Sequence, residues 1–219
     1  MLIYTVDHSL YCAKLRILLR HKGLDWNEAA PPGGGGSAKY LSLVPSGNIP
    51  ALVDGDLTLT DSEAIAEYLD EKFPETPMLP KSLRARAQSR ERSRFHDTRL
   101  EPALRLTFPH VDPTTRNPAA ITHAHRQINK QLRALGSLLP RQDLPHDRLW
   151  MGDCGIIVTL EWLVLMEHVV FPALSWPKTV TDYMDNMTLH AAVSSELHTY
   201  RPAMQHYMTG KNAYGSSRN

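Results

Sequence analysis

The sequence has little of several things that would decide its class early. It has two cysteines, Cys12 and Cys154, far apart in the chain. That is too few for a disulfide-stapled secreted scaffold, and neither stands among the ligands a zinc site needs, so reduced thiols are expected. It has no long apolar run. The best stretch, residues 156–170, is cut by Glu161, Glu167 and His168, whereas a membrane helix needs roughly 20 apolar residues. It has no excess of one charge. Lys and Arg total 24, Asp and Glu total 23, and the formal net charge is +1, which gives no general pull toward nucleic acid or an anionic membrane. The opening Met1-Leu2-Ile3-Tyr4-Thr5-Val6-Asp7 lacks the basic flank and cleavage pattern of a secretory leader. No nucleic-acid or membrane partner is therefore expected, and the expected location is the cytoplasm. His123 and His125 are two apart on a helical stretch and do not share a face, so no metal is expected either.

What is present is a chain of 219 residues, enough for one large domain or two small ones. Residues 2–6 are rich in β-branched and aromatic side chains and read as a strand. Cys12, Leu15, Ile17, Leu18 and Leu19 then recur with helical spacing, and Gly23 can close that helix in the left-handed region. A second strand is expected within residues 24–29. Pro31-Pro32-Gly33-Gly34-Gly35-Gly36-Ser37 is a flexible break. Too few residues precede it to bury a core, so it reads as a long loop inside one domain rather than a linker. A short helix over 37–42, a hairpin turning at Asp54-Gly55, and a helix over 63–72 complete an α/β unit. Past a Pro-rich boundary at 76–82 the chain becomes helical throughout. Helices are expected over 84–106 with an interruption at Pro102, and over 119–139, 153–169, 178–187 and 191–207, followed by a frayed polar tail over 210–219. The reading is two domains, residues 1–78 and residues 83–219.

Three local patterns carry chemistry. In Ser9-Leu10-Tyr11-Cys12, a serine stands where a strand–loop enters a helix. Read alone it is an N-cap, but a helix N-terminus also favours an anion such as a thiolate, to which a serine hydroxyl can donate. In Pro45-Ser46-Gly47-Asn48-Ile49-Pro50-Ala51-Leu52, a proline opens a strand. In Leu59-Thr60-Asp61-Ser62-Glu63-Ala64-Ile65, Asp61 and Ser62 stand at a helix start, either as caps or as receivers of a carboxylate.

In that order, these patterns resemble the glutathione S-transferase superfamily in its serine-type form. The resemblance runs over nearly the whole chain and is strongest in the first domain. It implies an α/β thioredoxin-like N-terminal domain followed by an all-α C-terminal domain. It implies conjugation of glutathione to a soft electrophile, detoxification chemistry, with glutathione as substrate and no metal cofactor, and a homodimer as the assembly. Counting back from Lys22-Gly23 places the activating position on Ser9, as catalytic hydrogen-bond donor to the sulfur. The resemblance further implies that Asn48, Ile49, Pro50, Asp61 and Ser62 bind glutathione, with Ile49-Pro50 cis, the Ile49 backbone pairing with the cysteinyl part, and Asp61 and Ser62 holding the γ-glutamyl end. Tyr11, Cys12, Arg94, Phe95 and Thr98 are the candidates for the second-substrate pocket.

The sequence departs from the family pattern in places. Leu10 replaces a proline. Asn48 stands where a basic residue would meet the glycine carboxylate, leaving Lys39 or Lys14 as substitutes. Trp150 stands where Ser or Thr would cap the helix that follows, so Gly152 or Asp153 is expected to cap it. Two alternatives stay open: a glutathione-dependent thiol/disulfide or peroxide reductase working through Cys12, and a non-catalytic ligand- or protein-binding module on the same fold. Trp162 and Met166 read as core, Tyr4 as packing, and Arg90, Arg94 and Arg105 as surface cations or as receivers of an acidic substrate.

Overall fold

The computed structural model describes residues 1–145 and 148–215. Strand β1 (Leu2–Tyr4) leads through a loop to α1 (Leu10–Lys22), then β2 (Asn27–Ala29), the short α2 (Ala38–Leu41), the hairpin β3 (Ala51–Asp54) and β4 (Leu57–Thr60), and α3 (Ser62–Lys72). The sheet order is β2-β1-β3-β4. β1 runs parallel to β2 and antiparallel to β3, with Ile3 opposite Glu28 on one side and Leu52 on the other. Ile3 and Leu52 are buried while Leu2 and Tyr4 are half-buried, the alternation of a sheet whose one face is the core. Gly55 takes φ 65° at the hairpin turn, a conformation that a residue with a Cβ adopts only under strain.

α1 starts at Ser9, whose Oγ accepts from the Cys12 N–H at 3.4 Å, and ends at Gly23 with φ 65°. Arg20, His21 and Lys22 fill its last turn, where cations suit the helix dipole. α3 is capped by Asp61, whose carboxylate accepts from Glu63 N at 2.9 Å and Ala64 N at 3.1 Å.

The second half is helical: α4 (Leu83–Phe95), a π-helical turn (His96–Leu100), α5 (Glu101–Arg105), α6 (Pro118–Leu138), α7 (Met151–Met166), α8 (Lys178–Thr188) and α9 (Ala191–Gly210). α7 is the central post. Ile156, Ile157, Leu160, Trp162 and Leu163 are all buried, and α7 packs on both α4 and α1. Its packing against α4 and the π turn depends on two glycines. A Cβ on Gly152 would stand 2.4 Å from the Ser89 carbonyl oxygen, and one on Gly155 would stand 2.6 Å from the His96 ring. One contiguous apolar core joins the two halves, from Ile3 and Leu15 to Trp162 and Met208.

The expected break in the helix over 84–106 comes upstream of Pro102, at the π turn. Proline has no N–H to bond back to Thr98, and its ring crowds that carbonyl, so the ladder rearranges one turn earlier. At the start of α7, Trp150 is the N-cap residue, and Asp153 supplies the missing cap by accepting from the Trp150 N–H at 2.9 Å. Asp153 also accepts from the Tyr183 hydroxyl at 2.8 Å and is paired with Arg92, so this cap is fixed inside the core. α9 extends to Gly210, three residues past the expected end; of the tail expected to fray, residues 216–219 lie outside the described residues. Among the described residues no helix is long and apolar enough to cross a membrane.

Candidate active site

Two neighbouring cavities open where the loop before α1, the loop before β3 and the start of α3 face α4, α5 and α9. The first, of about 320 Å³, is lined by Tyr11, Asn48, Ile49, Pro50, Asp61, Ser62, Arg94, Asp97 and Thr98. The second, of about 250 Å³, is lined by Val6, His8, Ser9, Leu10, Ile49, Arg105, Phe108 and Tyr207. Ile49 is common to both and forms the partition between them.

The first cavity is polar on two sides. Ile49-Pro50 is a cis peptide at the entry to β3, and strand pairing begins at Ala51. The Asn48 carbonyl is held by the Tyr40 hydroxyl at 2.7 Å, and Tyr40 in turn packs edge-on against Tyr4. Opposite, Asp61 has φ 76°, a left-handed conformation uncommon outside glycine. That strain places its carboxylate over the first turn of α3 beside the buried Ser62. Asp61 already takes the Glu63 and Ala64 N–H groups, which leaves the Ser62 N–H and hydroxyl as the donors that this helix start offers a carboxylate.

Behind this wall lies a buried strap of charge. The Lys14 ammonium, 2% exposed, contacts Glu63 at 2.8 Å and Asp97 at 3.2 Å, joining α1 and α3 to the π turn. Asp97 also meets His96 Nδ1 at 2.7 Å, and His96 Nε2 meets the Thr159 hydroxyl at 2.8 Å. Since a carboxylate only accepts, Nδ1 carries the proton and Nε2 accepts from Thr159. Burial pushes the His96 pKa down, and the ring is neutral. Burial works against the Asp97 charge, but His96 and Lys14 outweigh it and keep its pKa below the usual carboxylate range. Lys14 thus answers both Glu63 and Asp97, and on the cavity wall Arg94 stands 3.9 Å from the second Asp97 oxygen. Tyr11 is kept protonated, first by burial and then by the charges of Glu101 and Asp97.

The second cavity holds Ser9 and a wall of rings. His8 stacks on Tyr207 with ring centroids 4.4 Å apart, and Phe108 meets Tyr207 edge-on at 5.9 Å. The Ser9 backbone is held from far away. Trp162 Nε1 donates to the Tyr200 hydroxyl at 2.8 Å, and that hydroxyl donates to the His8 carbonyl at 2.9 Å. The C-terminal helices therefore fix the loop that carries Ser9. The Ser9 oxygen accepts from the Cys12 N–H at the start of α1, and the residue lines the cavity.

The residues that the sequence assigned to glutathione, Asn48, Ile49, Pro50, Asp61 and Ser62, all line the first cavity, with Tyr11, Arg94 and Thr98. Ser9 lies across the Ile49 partition. None of the five residues expected at the second-substrate pocket lines the second cavity: Tyr11, Arg94 and Thr98 line the first, and Cys12 and Phe95 line neither. Cys12 is fully buried, burial pushes its thiol up despite a hydrogen bond with Ser9, and it lines neither cavity. Phe95 is half-buried in packing, because the π turn carries Asp97 and Thr98 toward the cavity instead. Lys14, offered as a partner for a glycine carboxylate, is enclosed in the strap. The tetraglycine loop lies close by: a Cβ on Gly35 would stand 3.3 Å from Ile49 Cδ1. His8, Phe108 and Tyr207 escaped the sequence reading, since nothing local marks residues that only the fold brings together. Among the described residues no cluster of metal-type ligands occurs.

Comparison with known proteins gives a consistent set. Residues 3–77 match the family described as glutathione S-transferase, N-terminal domain. The chain is 43% identical over 159 residues to glutathione S-transferase Z1 of Arabidopsis thaliana, covering 69% of this chain and 72% of that one. It is 28% identical over 188 residues to a stringent starvation protein A homolog of Histophilus somni, covering 85% of each. In three dimensions it resembles a Nilaparvata lugens delta-class glutathione transferase with a TM-score of 0.79 at 19% identity, over 97% of this chain and 98% of that one, a likeness of fold.

Proposed function

The chain belongs to the glutathione S-transferase superfamily, and on that premise we propose that it binds glutathione in the first cavity and activates its thiol from Ser9 for attack on a small electrophile in the second. The observation that carries this reading is the placement of Ser9 across the Ile49 partition from Asp61 and Ser62. A tripeptide lying along that partition has its γ-glutamyl carboxylate at the start of α3 and its α-ammonium near Asp61 and Asp97. Its cysteinyl backbone pairs with Ile49 as an added strand, and its sulfur reaches the start of α1. There the helix N-terminus and the Ser9 hydroxyl favour thiolate over thiol. Ser9 is a donor in this scheme and forms no covalent bond. Holding both partners side by side adds to the rate.

Ser9→Ala tests the scheme. Conjugation is expected to fall by about 100-fold, in the range for removal of one placed donor, with glutathione affinity kept. An unchanged rate would remove the role given to Ser9. The reductase reading loses support from the burial of Cys12, which gives a disulfide partner no access. The non-catalytic reading draws support from the similarity to a stringent starvation protein A homolog and from Asn48 at the usual basic position. It predicts no glutathione binding at millimolar concentration. Homodimerisation is proposed on family grounds alone, and sedimentation of the purified protein tests it.

A further inference from the structure

Resting on the reading that an electrophile faces Ser9, we propose that this electrophile is an elongated, ring-bearing molecule with an anionic group remote from its reacting carbon, and that Lys211 receives that group.

The cavity beside Ser9 adjoins a second space along two of its rings. Beyond Phe108 and Tyr207 lies an outer cavity of about 510 Å³, which shares those two rings as its wall and reaches Lys211 and Asn212 past the end of α9. Rings set edge-on to one another, with His8 stacked on one of them, offer flat and edge contacts to a planar body. A cation stands over each ring: Arg105 at 5.4 Å from the Phe108 centroid and Lys211 at 5.7 Å from that of Tyr207.

The two cations are not equivalent. Arg105 is paired with Glu101, so much of its charge is already answered. Lys211 has no carboxylate partner among the described residues. The acid in the same cavity, Asp112, keeps its charge but is held by neutral donors rather than by Lys211. It accepts from the Thr114 N–H and hydroxyl at 2.8 Å each and from Asn212 Nδ2 at 3.2 Å. The reach of Lys211 extends inward. Burial lowers the His8 pKa, the Asp7 charge opposes that, and the Lys211 charge adds to it, so the cation is felt at a residue that lines the inner cavity. A neutral electrophile would use the rings and leave Lys211 to water. One with a terminal carboxylate would use both.

Ethacrynate and its methyl ester are suitable probes, since they share one body and differ in one charge. In each the glutathione sulfur bonds to the terminal methylene carbon of the enone. The displaced π pair becomes an enolate, which takes a proton from solvent in place of the one lost by the thiol, and nothing leaves. The readout is the ratio of kcat/KM for the acid to that for the ester. Lys211→Met is expected to lower this ratio about threefold, the scale of one solvent-exposed ion pair. Lys211→Glu is expected to lower it further, and both effects should shrink in ~0.5 M salt. Lys81→Met, on the exposed stretch between the domains, is expected to leave the ratio as it is. The two glutathione conjugates, titrated by calorimetry, give the same comparison without turnover. If the ratio and the relative affinities are the same in wild type and both Lys211 variants, the assignment of the anionic end is overturned while the electrophile site stands. If neither conjugate binds at ~1 mM, a concentration generous for a ligand of this size, the electrophile site is lost and this assignment with it.

Discussion

The two cavities on either side of Ile49 are built by different means. The first sets a run close in sequence, Asn48 to Ser62, against Tyr11, Arg94, Asp97 and Thr98, and is braced from behind by Lys14, Glu63, Asp97 and His96, all buried or nearly so. The second is assembled from four stretches, at Val6 to Leu10, at Ile49, at Arg105 and Phe108, and at Tyr207, and its wall is made of rings and the exposed Arg105 rather than buried charge. A wall fixed by buried charge cannot adjust without leaving a charge unpaired, so it suits a ligand that never changes. A wall of rings and exposed side chains can repack, so it suits ligands that vary. The contrast matches the division of labour proposed here between glutathione and its partner.

The contrast can be broken most severely at its brace. Lys14→Met would leave Glu63 and Asp97 buried without their cation, at a cost of roughly 3–5 kcal/mol, read as a fall in the denaturation midpoint. Lys14→Arg should recover much of the loss. Stability near wild type in the Met variant would show that the brace is not needed. A smaller effect is expected at the ligand face. Ser62→Ala removes one hydrogen bond to a carboxylate, worth about 1.5–3 kcal/mol, so KM for glutathione should rise at least tenfold while KM for the electrophile holds. Tyr207→Ala should do the reverse, raising KM for the electrophile by an amount that differs between electrophiles. Equal shifts for every substrate pair would erase the distinction between the walls.

The smallest effect is in pH. Burial lowers the folded-state pKa of His96 from its ordinary 6.5. The folded protein therefore binds its proton less readily than the unfolded chain. The stability from this group is complete above the unfolded value and is lost as pH falls from about 6.5 toward the lowered folded value. Denaturation midpoints measured between pH 8 and pH 5 should decline on the acid side, and His96→Gln should flatten that decline.

The first cavity was legible in the sequence because its chemistry is local. A proline before a strand, an acid and a serine before a helix, and a glycine after one are signals within a few residues of each other. The strand and helix order followed from period and turn residues for the same reason. What escaped depends on tertiary packing. The π turn that carries Asp97 to the cavity and Phe95 away from it arises where Pro102 disturbs the ladder and Gly155 makes room for the His96 ring. Cys12 was a candidate by position in the motif, yet the side chain is enclosed once α1 is packed. Tyr207 has no local mark at all, because α9 returns to the loop before α1 only in the folded chain. Asp153 shows the intermediate case. It was named as a possible cap, and only the fold reveals that Arg92 and Tyr183 hold it in place.

The most direct test of the central claim is a titration of the purified protein with glutathione, following heat by calorimetry and thiolate by ultraviolet absorbance across a series of pH values. The account predicts saturable binding, with bound thiolate appearing at a pH well below that at which free glutathione ionises, and with that shift lost in Ser9→Ala. Absence of binding at millimolar glutathione, or binding with the thiol ionising as it does in free solution, would contradict it.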